Sequence, residues 1–211
     1  MTPLEKTPLE DIFEIIDQTN AQDPRMTAPQ GTAAVPTELL RGFRLSLVCE
    51  EFAPTADDLV KIAARAQTLE SWQFEEADGT PPQENVAVIE GRKREHSAKR
   101  ISQIMAANGY DEADCAIVRD LVLGKSEDET GRAQLLEDLN GLVFIQFHAV
   151  DLLKLYPAEQ LAPILTDCLS GMSDEALYHA IDQMNDPVLI KTLQSIRQDI
   201  SVEKKSIVYL D

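Results

Sequence analysis

Residues 134–148 read QLLEDLNGLVFIQFH, and this stretch decides the fold class. Leu135, Leu142 and Ile145 recur at the spacing that puts side chains on one face of an α-helix, so the segment is predicted helical. Asp138 falls on that same face, three residues after Leu135 and four before Leu142. A carboxylate turned toward a core is costly unless a donor or a counter-ion meets it. Two roles fit such a residue. One is structural, an ion pair with an arginine or a cap on another helix's N-terminus; the other is a carboxylate in a metal or phosphate pocket. Glu137 points about 100° away around the helix and need not share the task.

Outward from there the chain reads as helix after helix. Toward the N-terminus, Thr7-Pro8-Leu9-Glu10 is a capping box with proline at the first helical position, followed by Ile12, Phe13, Ile15 and Ile16. That helix is predicted to fade by Asp17–Asn20 into a loop, NAQDPRMTAPQGTAAVP, with three prolines and a glycine. A second helix is predicted from near Pro36 to Phe52. A third, capped by Thr55-Ala56-Asp57-Asp58, is predicted to end near Trp72. The stretch EEADGTPPQE breaks the pattern. A helix over about 85–108 stops at Gly109, and another runs from Asp111 to Gly124. The long helix from Gly131 to Leu155 halts before Pro157, and three more follow over 158–169, 173–184 and 187–204. Only the final SIVYL could ask for a strand. The expectation is all-α, with 1–211 as a single compact domain because no linker-like stretch divides it.

Composition bounds the function. Apolar residues make up 44% of the chain, which is enough for a sizeable core. The net charge of −18, from 37 acids against 19 lysines and arginines, disfavours nucleic acid and anionic membranes as partners, since both reward positive charge. No apolar run approaches the ~20 residues that span a bilayer, and the acidic N-terminus lacks the positive region of a signal peptide. Cys49, Cys115 and Cys168 are odd in number and widely spaced, which fits thiols serving as small core residues in a reducing cytoplasm.

Two further stretches hold candidate site residues. GRKREHSAKR, residues 91–100, gathers five of the nineteen basic side chains. Arg92, His96, Lys99 and Arg100 share one helical face there, and His96 borders the apolar side. Such a group can hold a phosphate or a carboxylate, or form a solvated basic face paired with acids. In AARAQTLESW, residues 63–72, Arg65 is the candidate counter-ion for Asp138. His148 and His179 sit among apolar neighbours and are read as structural. P-loop, dinucleotide, zincin and nucleophile-elbow motifs are all missing from the chain.

Taken in order, several stretches resemble the domain of unknown function 4202 proteins. They begin at Asp17-Gln18-Thr19-Asn20-Ala21-Gln22-Asp23-Pro24 and Pro36-Thr37-Glu38-Leu39-Leu40 with Arg44 and Ser46. They continue through Ala63-Ala64-Arg65-Ala66-Gln67, Trp72, Arg94-Glu95-His96 and Asn108-Gly109-Tyr110-Asp111-Glu112. They close on Gln134-Leu135-Leu136-Glu137-Asp138 and Leu142-Val143-Phe144. The resemblance spans about residues 12–185 and leaves out the C-terminal helix and tail, 187–211. That family is in turn distantly similar to the HD superfamily of all-α, metal-dependent phosphohydrolases, and the likeness sets His96 and Asp138 where metal ligands stand. Here, however, no histidine precedes an aspartate, and Thr68 stands where the related proteins carry histidine. Thr is a poor replacement for imidazole at a transition-metal site. The 75–90 stretch also lacks the aromatic and basic residues that usually precede the family's histidine. The resemblance thus implies a degenerate centre.

The expected function is non-catalytic binding of a small phosphorylated or carboxylated molecule, or regulation through it. The expected site residues are Arg65, Arg92, His96, Arg100 and Asp138, with no cofactor. Two alternatives remain open on the sequence. One is an active phosphohydrolase using a divalent metal on a nucleotide or small phosphate ester. The other is an acidic module that binds a basic protein.

Overall fold

The computed structural model describes residues 6–29, 31–74, 85–125 and 129–208, and the fold is all-α. In chain order the elements are α1 (Pro8–Asn20), β1 (Met26–Thr27), β2 (Val35–Pro36), α2 (Thr37–Phe52), α3 (Asp58–Ala66), a 3-10 turn (Ser71–Phe74), α4 (Val86–Ala107) and α5 (Glu112–Leu123). Then come α6 (Arg132–Phe144), a π-helical turn (Ile145–Ala149), α7 (Val150–Leu155), α8 (Ala158–Leu169), α9 (Asp174–Gln183) and α10 (Pro187–Val208). The chain packs as two compact units, residues 1–133 and 134–211. No helix among the described residues is long and apolar enough to cross a membrane.

In the first unit, sequence punctuation sets the helix ends. Thr7 Oγ1 accepts the Glu10 N–H and the Glu10 carboxylate accepts the Thr7 N–H, which completes the capping box. The cap of α3 is Asp57, which accepts from Val60 N, and that of α5 is Asp111, which accepts from Asp114 N. Gly124, at φ 75°, ends α5 in the left-handed conformation that glycine adopts without strain. α4 packs along α5, and α3 lies against α1, α2 and α5. Ile12, Ile16, Leu45, Ile62, Leu69, Ile101 and Met105 are fully buried between them.

The second unit packs α10 on α8 and α9 and α7 on α8, around Leu161, Leu165, Leu169, Leu177, Leu189 and Leu193. On α6, Asp138 and Leu142 are buried and Leu135 half-buried, and Ile145 is buried at the start of the π turn, as the helical spacing requires.

Four expectations need correction. The 20–36 segment is not wholly loop, because Met26 and Thr27 pair antiparallel with Pro36 and Val35. The third helix stops at Ala66; beyond it the chain turns through Glu70, at φ 59°, into the 3-10 turn. The helix over 131–155 is interrupted by the π turn, whose wider hydrogen-bond ring leaves no mark on composition. Ser206–Val208 of the proposed strand continue α10 instead; Tyr209–Asp211, like the EEADGTPPQE break at 75–84, lie outside the described residues.

The thiols divide as well. Cys49 and Cys115 are buried, and burial pushes both thiols up, whereas Cys168 is exposed rather than a core residue. One thiol of the three is therefore expected to react quickly with an aromatic disulfide reagent in the native protein, and all three after denaturation. Rapid reaction of all three in the native state would contradict the packing of α2 and α5.

Candidate functional site

The first polar cluster sits where α1, α2 and α3 meet. Arg65 on α3 is 6% exposed. Its guanidinium donates to both oxygens of Asp17 on α1, at 2.8 and 2.6 Å, and to Ser46 Oγ on α2 at 2.6 Å. The rings of Phe13 and Phe43 both lie 4.6 Å from its central carbon, so the cation is stacked as well as paired. Arg65 is thus the counter-ion of Asp17, and not of Asp138 as the sequence suggested.

At the N-terminus of α2 the capping position is Pro36, which offers no side-chain acceptor. Asp23 supplies one from the preceding loop, its Oδ2 accepting the Glu38 N–H at 3.1 Å. Arg25 forks onto both Asp23 oxygens at 2.9 Å and reaches Glu38 Oε1 at 2.7 Å. Ser71 Oγ donates to the same Glu38 oxygen at 3.0 Å. Burial alone would raise the Asp23 carboxyl. The hydrogen bonds from the Arg25 side chain and from the Arg25 and Glu38 N–H groups, together with the guanidinium charge, outweigh it and hold the carboxyl below the usual aspartate range.

That depression carries a pH dependence. A carboxyl lowered by folding contributes its full stability above the unfolded value of about 3.9 and loses it as the pH falls through the folded value. Urea titrations below about pH 4 are therefore expected to show a steep loss of stability that is shallower in Asp23→Asn. Equal acid slopes in the two proteins would remove Asp23 from this role.

The third cluster joins the turn after α3 to the basic stretch of α4. His96 Nε2 donates to Glu70 Oε2 at 2.7 Å. Arg100 donates to the same oxygen through Nε at 2.9 Å and to Glu70 Oε1 through Nη2 at 3.4 Å. Phe74 meets the His96 ring edge-on, with centroids 5.2 Å apart, and Ser97 Oγ ties α4 to Leu69 O at 2.9 Å. The Glu70 side chain is 14% exposed and that of Arg100 37%. Arg92 is exposed one turn before His96. Lys99 lines a different feature, an open groove of about 440 Å³ along α4 and α5, together with Glu95, Gln103 and Arg119.

Asp138, in the second unit, answers the question its position poses. It is 4% exposed. It accepts the Ser173 N–H at 2.6 Å, the Ser173 hydroxyl at 2.7 Å and the Gln134 amide at 3.1 Å. Ser173 is the cap of α9, and its oxygen in turn accepts the Ala176 N–H at 3.1 Å. Gln134 also donates to Gly171 O at 2.8 Å. The Asp138 carboxylate thus backs the capping residue of another helix's N-terminus, a place where a negative charge is favoured.

Of the five site residues expected, the structure brings His96 and Arg100 together on one carboxylate. Arg65 has its own partners within the first unit, and Asp138 has its own within the second. Sequence reasoning missed Glu70, because a glutamate at positive φ has no signal in composition. It also missed Asp17, Asp23 and Ser46, although all three fall within the stretches that carry the family resemblance. Among the described residues no group of three or more histidine, cysteine, aspartate or glutamate side chains could hold a metal ion.

Helices capped across long sequence separations, two compact units and buried ion pairs define an all-α protein. The chain belongs to the family described as a domain of unknown function, DUF4202, whose model matches residues 10–193. No curated protein and no solved structure matches it.

Proposed function

We propose that the chain binds a small carboxylated or phosphorylated molecule at the His96–Arg100 end of the first unit, without transforming it. The observation that supports this reading is the posture of Glu70. A non-glycine residue in the left-handed region costs roughly 1–2 kcal/mol, and such strain persists only where its surroundings over-determine it. Here the strained residue lays a carboxylate across His96 and Arg100. The protein's own acid therefore marks a position at which an imidazole and a guanidinium converge on a planar anion. An external carboxylate or phosphate carries the same chemistry and competes for the same donors, with exposed Arg92 adding positive charge to the approach.

Binding is favoured over metal-dependent hydrolysis by the donor set. The Glu70 oxygen that contacts His96 is also held by the Arg100 guanidinium at 2.9 Å, so a divalent ion taken up by His96 and Glu70 would sit against a fixed positive charge. Asp138 spends its acceptors on Ser173, the cap of α9, and on Gln134. We place it, with Arg65, among the structural residues rather than the binding ones.

Glu70→Gly tests the reading, because glycine accepts the positive φ and removes the competing carboxylate. Calorimetric titration with citrate and with inorganic phosphate is expected to show binding at least ~10-fold tighter than in the wild type, equivalent to about 1.4 kcal/mol. Adding Arg100→Gln or His96→Gln to that variant is expected to abolish the gain. Equal affinity with and without Glu70, or a gain that survives loss of Arg100, would defeat the proposal.

A further inference from the structure

The groove along α4 and α5 lies apart from the carboxylate cluster, and the sequence explains why it is open. Ala98, Ser102 and Ala106 follow one another a turn apart on α4, so small side chains line one strip of that helix. Arg119 and Leu123, also a turn apart, line it from α5. The trough between them measures about 440 Å³, within the range of roughly 300–1,000 Å³ usual for sites that hold small molecules. Both helices belong to the first unit.

The charges on its rim are the second observation. Lys99 is exposed and makes no ion pair or hydrogen bond among the described residues, although acids outnumber lysines and arginines 37 to 19 in the chain. Lys6, Lys61, Lys93, Lys125 and Lys154 each meet a carboxylate. Arg119 donates to Asp120 through Nε at 3.2 Å, and its two outer nitrogens have no partner among the described residues.

This lining selects its ligand. Ala98, Ala106 and Leu123 offer an apolar bed, which a small hydrophilic ion would leave unused. Glu95 stands on the rim with Lys99 and Arg119, so two cations face one acid and one positive charge is left over. That balance suits a single negative charge; a polyphosphate would be repelled by Glu95 and an amine by the two cations.

We infer that the groove binds an amphipathic monocarboxylate, its carboxylate held by Lys99 Nζ and the outer nitrogens of Arg119 and its apolar chain laid along Ala98, Ala106 and Leu123. The site is independent of the one at Glu70. His96 and Arg100 lie on the neighbouring face of α4, and Gln103, which accepts from Arg100 Nη1 at 3.3 Å, stands between the two.

Octanoate titrated into the isotope-labelled full chain, followed by amide chemical shifts, tests the inference. Saturable shifts are expected around Lys99 and Leu123, with a Kd on the order of 1 mM. Butanoate, with less chain to bury, and octylamine, with the opposite charge, are expected to bind more weakly. Lys99→Glu is expected to weaken octanoate roughly 5-fold, and Glu95→Gln to strengthen it. Both positions are exposed, so neither change disturbs the core. Octylamine binding as tightly as octanoate would overturn the inference. So would an affinity unchanged in Lys99→Glu, shifts centred on Glu70 and His96 instead, or no saturation at about ten times the expected Kd.

Discussion

Arg65→Ala is expected to lower the unfolding free energy by about 3–5 kcal/mol, the range for breaking one side of a buried ion pair. Three losses add in the same direction. Asp17 forfeits two charge-assisted hydrogen bonds, Ser46 loses its donor, and Phe13 and Phe43 lose the flat cation between them. The Asp17 side chain is 26% exposed, so partial rehydration sets the expectation toward the lower end of the range. Arg65→Lys keeps the charge but neither the two-pronged fork nor the planar stack, and is expected to fall between wild type and alanine. The paired change Asp17→Leu with Arg65→Met is expected to be far milder than either single loss, because no charge is then left behind. Urea midpoints check all four proteins. A loss below about 1 kcal/mol for Arg65→Ala would place this arginine with weak surface pairs.

Asp138→Ala carries the second largest expected effect, a loss of about 3 kcal/mol from the buried donors that it leaves unpaired. Alanine strands the Ser173 N–H and hydroxyl and one donor of Gln134, all of which converge on the two carboxylate oxygens. Asparagine keeps one acceptor but sets an N–H₂ group against the Ser173 hydroxyl, so a smaller loss is expected. Asp138→Ala and Ser173→Ala share one network and are expected to be sub-additive in a double-mutant cycle. None of these changes is expected to alter anion binding at His96, because Asp138 has its donors within its own unit. If Asp138→Ala left stability intact while abolishing binding, the ligand role first weighed for this residue would be restored.

These two residues show how far the sequence can be read. The helical spacing around Asp138 placed it on the buried face correctly, and the cost of a buried charge required a partner. Which partner was a different matter. Arg65 and Asp138 were each legible as residues in need of a counter-group, but the counter-groups, Asp17 and Ser173, are 48 and 35 residues away, and nothing local encodes that distance. Asp23 illustrates the same limit, since it caps a helix that begins fourteen residues later behind a proline unable to cap itself. Capping boxes and glycine stops were legible because their donors and acceptors lie within one turn, as at Thr7 and Gly124. Glu70 was not, because a positive φ at a glutamate has no signature in its own residue type and its partners, His96 and Arg100, lie 26 and 30 residues away. The π turn at Ile145–Ala149 escaped for a related reason: its apolar pattern is that of the helix it interrupts.

The central claim is that His96 and Arg100 recognise an anion whose place Glu70 now takes. Crystals of Glu70→Gly grown with a small dicarboxylate test it most directly. The expected result is a ligand carboxylate bonded to His96 Nε2 and Arg100 Nε where the Glu70 oxygens stood. An Arg100 turned out to solvent beside a His96 that contacts no ligand would contradict it.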